Sequence, residues 1–173
     1  MKRTSKQIDP SVAIVPIARK YIAGFRECLD AVSREQRYLA FLDARPLPVI
    51  RKFVLGNIRA GNPQFVAVKD GRVVGWCDIC RMDRPVYLHA GVLGMGLLKE
   101  FRGQGLGRRL ILAALERARE VGIERVELTV YASNERAIRL YESVGFAHEG
   151  VKRKGRKLDG VYEDVVMMAK LYV

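Results

Sequence analysis

The chain has 173 residues, 49% apolar and 29% charged, which is enough apolar matter for one buried core and too much for a chain disordered throughout. Lysine and arginine number 31 against 19 aspartates and glutamates, and the net charge of +12 favours anionic partners: nucleic acid, anionic lipid or a phosphate-rich cofactor. No apolar run approaches the roughly 20 residues that span a bilayer, so no membrane partner is expected.

Residues 1–10 carry charge without an apolar stretch and read as a flexible N-terminal tail rather than a signal peptide, with a cytoplasmic location expected. Residues 11–173 read as a single domain. Residues 11–17 form a first strand, placed at a sheet edge by Pro16. Ile22, Phe25, Leu29 and Val32 recur at helical spacing and predict a helix over 22–38. After Pro46 and Pro48 a second helix runs over 49–59 and stops at Gly61. Asp70-Gly71 joins strands at 65–69 and 72–81 as a hairpin. Cys77 and Cys80 lie in the second of these as CxxC. Three apart on a strand they face opposite sides, and Cys28 leaves an odd count, so reduced thiols are expected rather than a disulfide or a metal site.

Residues 87–98 are apolar and glycine-bearing, a central strand with room for bulges. A glycine-rich turn leads into a helix that carries Leu106, Leu110, Ile111, Ala114, Leu115 and Ala118 and ends at Gly122. Residues 125–131 alternate as a strand, and Ser133 or Asn134 caps a helix over 135–144, stopped by Gly145. Strands over 146–157 and 161–171 close the chain around Leu158-Asp159-Gly160. The order β-αα-β-β-β-α-β-α-β-β predicts an α/β (α+β) domain with helices on both faces of one mixed sheet. Lys152, Arg153, Lys154, Arg156 and Lys157 fall on the last hairpin, where a charge run reads as a solvated face.

The turn at Arg102-Gly103-Gln104-Gly105-Leu106-Gly107-Arg108 carries the chemistry. Glycines let backbone N–H groups approach an anion, and the free N–H groups and dipole at a helix start favour phosphate. Arg102, Arg108 and Arg109 add positive charge. The spacing fails the dinucleotide fingerprint, because Arg108 or Leu110 stands where the last glycine belongs, and no Gly-Lys-Ser/Thr occurs to make a nucleotide-triphosphate loop. It does fit [QR]-x-x-G-x-[GA] through Arg102, Gly105 and Gly107. Downstream, Asn134, Ala137, Leu140, Tyr141, Gly145 and Phe146 follow in order.

In these two motifs the chain resembles the GNAT superfamily of N-acetyltransferases, specifically from Val92 to Phe146 and loosely elsewhere. The resemblance implies the GNAT fold, a mostly antiparallel sheet of seven strands with four flanking helices. It implies acetyl-CoA as cosubstrate, no metal, and direct attack of a primary amine through a tetrahedral intermediate. Gly96, Leu97 and Leu98 would bind the pantetheine arm, and Gly103, Gln104, Gly105, Leu106, Gly107 and Arg108, with Arg102, the pyrophosphate. Asn134 would reach the arm or serve only as a helix cap. Tyr141 would protonate the departing sulfur. The C-terminal stretch resembles a subgroup containing amino-acid, spermidine and ribosomal-protein acetyltransferases. The expected acceptor is a small amine, an amino acid before a polyamine or a protein N-terminus. A homodimer is common in the family, a non-catalytic acyl-CoA-binding module is the rival of another class, and no nucleic-acid partner is expected.

Many members carry a glutamate base on the fourth strand, where this chain has Gly91. By alternation His89 would share that face, and an imidazole with a pKa of about 6.5 suits a base at neutral pH. Asp78, Asp83 and Glu127 are the other candidates.

Overall fold

The structure, a computed structural model, describes residues 10–172; apart from Pro10, the expected tail lies outside them. Seven strands form one sheet: β1 (Ala13–Pro16), β2 (Gln64–Lys69), β3 (Arg72–Arg81), β4 (Ala90–Leu97), β5 (Arg125–Tyr131), β6 (Ala147–Leu158) and β7 (Val161–Leu171). Their order is β1-β2-β3-β4-β5-β7-β6, and every pairing is antiparallel except β4 with β5. The helices are α1 (Ile22–Arg34), α2 (Leu47–Ala60), α3 (Leu106–Glu120) and α4 (Glu135–Ser143). Among the described residues no helix is long and apolar enough to cross a membrane.

The even residues of β3 and β4 face α1 and α2. Trp76 meets Phe25 of α1 edge-on, with ring centroids 5.8 Å apart, and Cys80 reaches Asn57 of α2. The odd residues face α3 and α4, where a β-carbon on Gly107 would touch Leu97, Met95 and Leu140. Cys77 and Cys80 therefore lie on opposite faces, and all three cysteines are free. The periodic stripe of α3 (Leu106, Leu110, Ile111, Ala114, Leu115, Ala118) is fully buried against the sheet.

Two boundaries and one bulge differ from the sequence reading. Helix α1 ends at Arg34 because Gln36 is left-handed, at φ 55°. Strand β4 starts at Ala90, not at 87. Pro85 opens a short 3-10 turn there, and the Arg81 guanidinium donates to the carbonyls of Leu88 and Val121, drawing that segment off the sheet. The glycines of β4 make no bulge, since its register with β3 is continuous from Gly91 to Leu97. They instead admit large neighbours: a β-carbon on Gly96 would collide with the Trp76 indole.

Candidate active site

Strands β4 and β5 pair only from Ala90 with Arg125 to Val92 with Glu127. Beyond that point β4 stays with β3 and β5 stays with β7, so the two halves of the sheet diverge around a cleft of about 880 Å³. Backbone groups alternate along a strand. Leu98 donates its N–H to the Val74 carbonyl, so the even residues of β4 serve β3, and Leu93, Met95 and Leu97 direct theirs toward the cleft.

This parity reassigns part of the expected donor site. Gly96 and Leu97 line the cleft, whereas Leu98 does not: its N–H is spent on β3 and its side chain is buried. Leu93 and Met95, which the motif reading missed, line the cleft and share the edge of Leu97. Counting in twos from Leu97 would have found them.

The turn into α3 has the form of an anion cradle. Gly103 and Gly105 have φ of 82° and 76°, and Gly105 is the N-cap of α3 without a side chain to cap it. The N–H groups of the first turn are thus left for a ligand. Gly103, Gly105, Gly107 and Arg108 line the cleft, while Gln104 donates to the Glu100 carbonyl outside it and Leu106 is a buried core residue. A β-carbon on Gly103 would come within 3.0 Å of Arg136 Nη2. Arg136 has no carboxylate partner among the described residues, and motif reading missed it because it belongs to α4.

Arg102 plays a different part from the one expected. Its Nε and Nη2 donate to the Leu97 carbonyl at 2.9 and 2.6 Å, and Nη1 and Nη2 donate to Glu35 at 2.8 and 2.5 Å. Its charge is committed to Glu35, and it ties the turn to the end of α1. Arg109 is likewise spent, donating to the Val12 carbonyl of the chain before β1. Arg102→Ala leaves a partly buried carboxylate and a carbonyl unpaired, a loss of about 1–3 kcal/mol. A melting temperature several degrees lower is expected, with part of the loss recovered in Arg102→Ala/Glu35→Ala. An unchanged melt would remove the arginine from the framework of the loop.

Asn134 caps α4, its Oδ1 accepting from the Ala137 N–H at 3.3 Å, and it also lines the cleft. The cap is thus shown, and its Nδ2 has no partner among the described residues. Tyr141 lines the cleft from α4, and its ring is buried against Phe146 with centroids 5.8 Å apart. Its hydroxyl makes no hydrogen bond to a described residue. Burial, and secondarily Cys77, pushes its pKa up, so the phenol keeps its proton.

His89 is not brought to the site. It precedes β4 in an exposed position outside the cleft, so the strand alternation invoked for it does not apply. Its carbonyl accepts from the N–H groups of Glu124 and Arg125. The cleft's second mouth is formed by Val32, Arg37, Tyr38, Leu39 and Ala40 at and after the end of α1, with Tyr131 of β5 opposite. No motif marks these residues; the left-handed turn at Gln36 puts them there.

Residues 26–146 match the Acetyltransferase (GNAT) family, and the chain belongs to it. It is an acetyltransferase, and the splayed strands and uncapped glycine turn leave an open cleft beside a phosphate-sized cradle. An Escherichia coli protein named L-amino acid N-acetyltransferase AaaT is 32% identical over 65% of this chain and 70% of its own length. N-alpha-acetyltransferase RimI of Mycobacterium tuberculosis is 36% identical over 57% of this chain and 61% of its own. A GNAT-family acetyltransferase from Streptococcus pneumoniae superposes with a TM-score of 0.87 at 28% identity, covering 92% of this chain and 99% of that one.

Proposed function

We propose that this protein acetylates the primary amine of a small acceptor that carries a carboxylate, an amino acid. The observation behind this reading is the charge of the cleft. Arg37, Arg108 and Arg136 line it without a carboxylate partner among the described residues, beside Arg102, which is paired with Glu35, and Arg139, which is paired with Glu135 at 3.0 Å. Arg102 and Arg136 belong to the donor side. Arg37 belongs to the other mouth, among apolar Val32, Leu39 and Ala40, where a guanidinium suits a carboxylate bidentately. A polyamine would call for Asp78, Asp83, Glu149 and Glu163 to gather as one acidic cluster, and they do not: Asp78 is buried behind the cleft. Glu149 is paired with Arg125, Glu163 with Arg156, and Asp83 is exposed away from the cleft.

When bound, acetyl-CoA supplies an acetyl thioester with an electrophilic carbonyl. The cleft-facing N–H groups of β4 stabilise negative charge on the carbonyl oxygen. Tyr141 holds a proton for the departing sulfur. Arg37 orients the acceptor by its carboxylate, which leaves the amine toward the splay.

Kinetics with a panel of amino acids, spermidine and N-terminal peptides test the acceptor. Amino acids are expected to have the highest kcat/KM, and Arg37→Ala to raise their KM about tenfold without affecting the corresponding amides. A tenfold preference for spermidine or a peptide, about 1.4 kcal/mol of transition-state stabilisation, would overturn the assignment.

A further inference from the structure

The acceptor's ammonium must lose a proton before it attacks, since an α-amine has a pKa of about 8. The site as described so far has no group to take it. The fourth-strand carboxylate is replaced by Gly91, whose β-carbon would in any case point at Ile79 and Ile123 on the α3 side.

A carboxylate does lie behind the cleft, on the neighbouring strand. Gln64, Asp78 and Gly94 are directly opposite one another across β2, β3 and β4, and therefore share the face covered by α1 and α2. Gly94 lines the cleft and has no side chain, and Asp78 Oδ1 stands 3.2 Å from where its β-carbon would be. The acceptor mouth, with Val32 of α1, is on the same face.

The surroundings of Asp78 have no structural use for a charge. It is buried, and no cation faces it from β2, β4, α1 or α2. The Cys80 thiol, 3.7 Å away on its own strand, is its one hydrogen-bonding neighbour among the described residues. Asn57 of α2 donates its Nδ2 to Gln64 Oε1, and its Oδ1 accepts from the Asn62 Nδ2 and the Cys80 thiol. The Nε2 of Gln64 is buried without a partner among the described residues. A carboxylate in such a place costs stability, and an apolar residue would pack there at no such cost. Burial pushes its pKa up to about 7, with the Cys80 contact opposing weakly, into the range a base needs at neutral pH.

We propose that Asp78 is the catalytic base: it takes the proton from the acceptor ammonium across the gap left by the missing side chain of Gly94. The N–H bond breaks, the proton moves to an Asp78 carboxylate oxygen, and the electron pair stays on nitrogen to form the new C–N bond. The C–S bond then breaks with its electron pair on sulfur, which takes the Tyr141 proton; the second proton on nitrogen leaves to solvent, and Tyr141 regains a proton from solvent. The Asp78 proton returns to solvent when the products leave. This inference rests on the acetyltransferase chemistry above but not on the identity of the acceptor.

The experiment compares wild type with Asp78→Asn, a near-isosteric change, using whichever amine the wild type accepts best. The acid limb of wild-type kcat/KM, with its midpoint near pH 7, is expected to disappear in the variant, and kcat at pH 7.5 to fall tenfold or more. Affinity for acetyl-CoA should be unchanged. A hydrazide analogue of the acceptor, already neutral at pH 7, should be acetylated at nearly equal rates by both proteins. Stability should move the opposite way. The folded pKa of Asp78 lies above the reference 3.8, so wild type loses stability as pH rises through about 7. The melting temperature of Asp78→Asn should exceed that of wild type above pH 7, and the gap should close toward pH 4. A variant that keeps the acid limb and a rate within threefold of wild type overturns the proposal, as does an equal loss with amine and hydrazide. A wild type inactive on amino acids but active on another amine sinks the acceptor assignment alone.

Discussion

Replacing Tyr141 by phenylalanine is expected to lower kcat by roughly 10²-fold or more while leaving acetyl-CoA affinity unchanged. The ring is buried against Phe146, and the variant keeps that contact, so folding should be preserved. Tyr141 lines the cleft, and its hydroxyl makes no hydrogen bond to a described residue that its loss would orphan. Its raised pKa, caused first by burial, means it is protonated throughout the neutral range, as an acid for a departing thiolate must be. Acceptor turnover measured by thiol release gives the rate, and calorimetry gives the affinity. Full activity in Tyr141→Phe would leave the side chain a packing residue. If the acid role is right, the defect should be larger with acetyl-CoA than with an acetyl thioester whose leaving thiol has a lower pKa, because such a thiol departs without help.

Gly105→Val is expected to weaken acetyl-CoA binding about 10²-fold, some 2.7 kcal/mol. Two effects combine. Gly105 sits at φ 76°, where an L-residue costs about 1–2 kcal/mol and a β-branched one more. It is also the N-cap of α3, so the strain is relieved by moving the N–H groups that form the anion cradle. Gly105→Ala should bind more weakly than wild type but better than Val. The melting temperature of the Val variant should fall by a few degrees, reporting the backbone strain separately from the lost contact. Calorimetry with unchanged affinity in both variants would place the pyrophosphate elsewhere.

Much of the architecture was legible from local physics. Helix α3 was readable from its apolar stripe between Gly105 and Gly122, and the β2–β3 hairpin from Asp70-Gly71, because period and turn chemistry are properties of short segments. The glycines of the cradle, Asn134 and Tyr141 were found because they sit at set spacings within contiguous motifs. Errors arose where a remote partner decides. Strand β4 begins late because Arg81 ties the Leu88 carbonyl ahead of it to the Val121 carbonyl at the end of α3, and that removed His89 from the site. Arg102 reads as a phosphate ligand in the motif but is neutralised by Glu35, 67 residues away. Arg136 and Arg37 have no local signature, and Asp78 was one base candidate among several that local sequence could not rank. Each gains its position from strand register or from a loop crossing the sheet. Local sequence therefore determined the elements and the glycine turn at the start of α3, because backbone propensity and turn geometry act over a few residues. The acceptor mouth and the buried carboxylate were decided only in the tertiary structure, because charge pairing, desolvation and the divergence of β4 from β5 depend on neighbours that the chain meets only when folded.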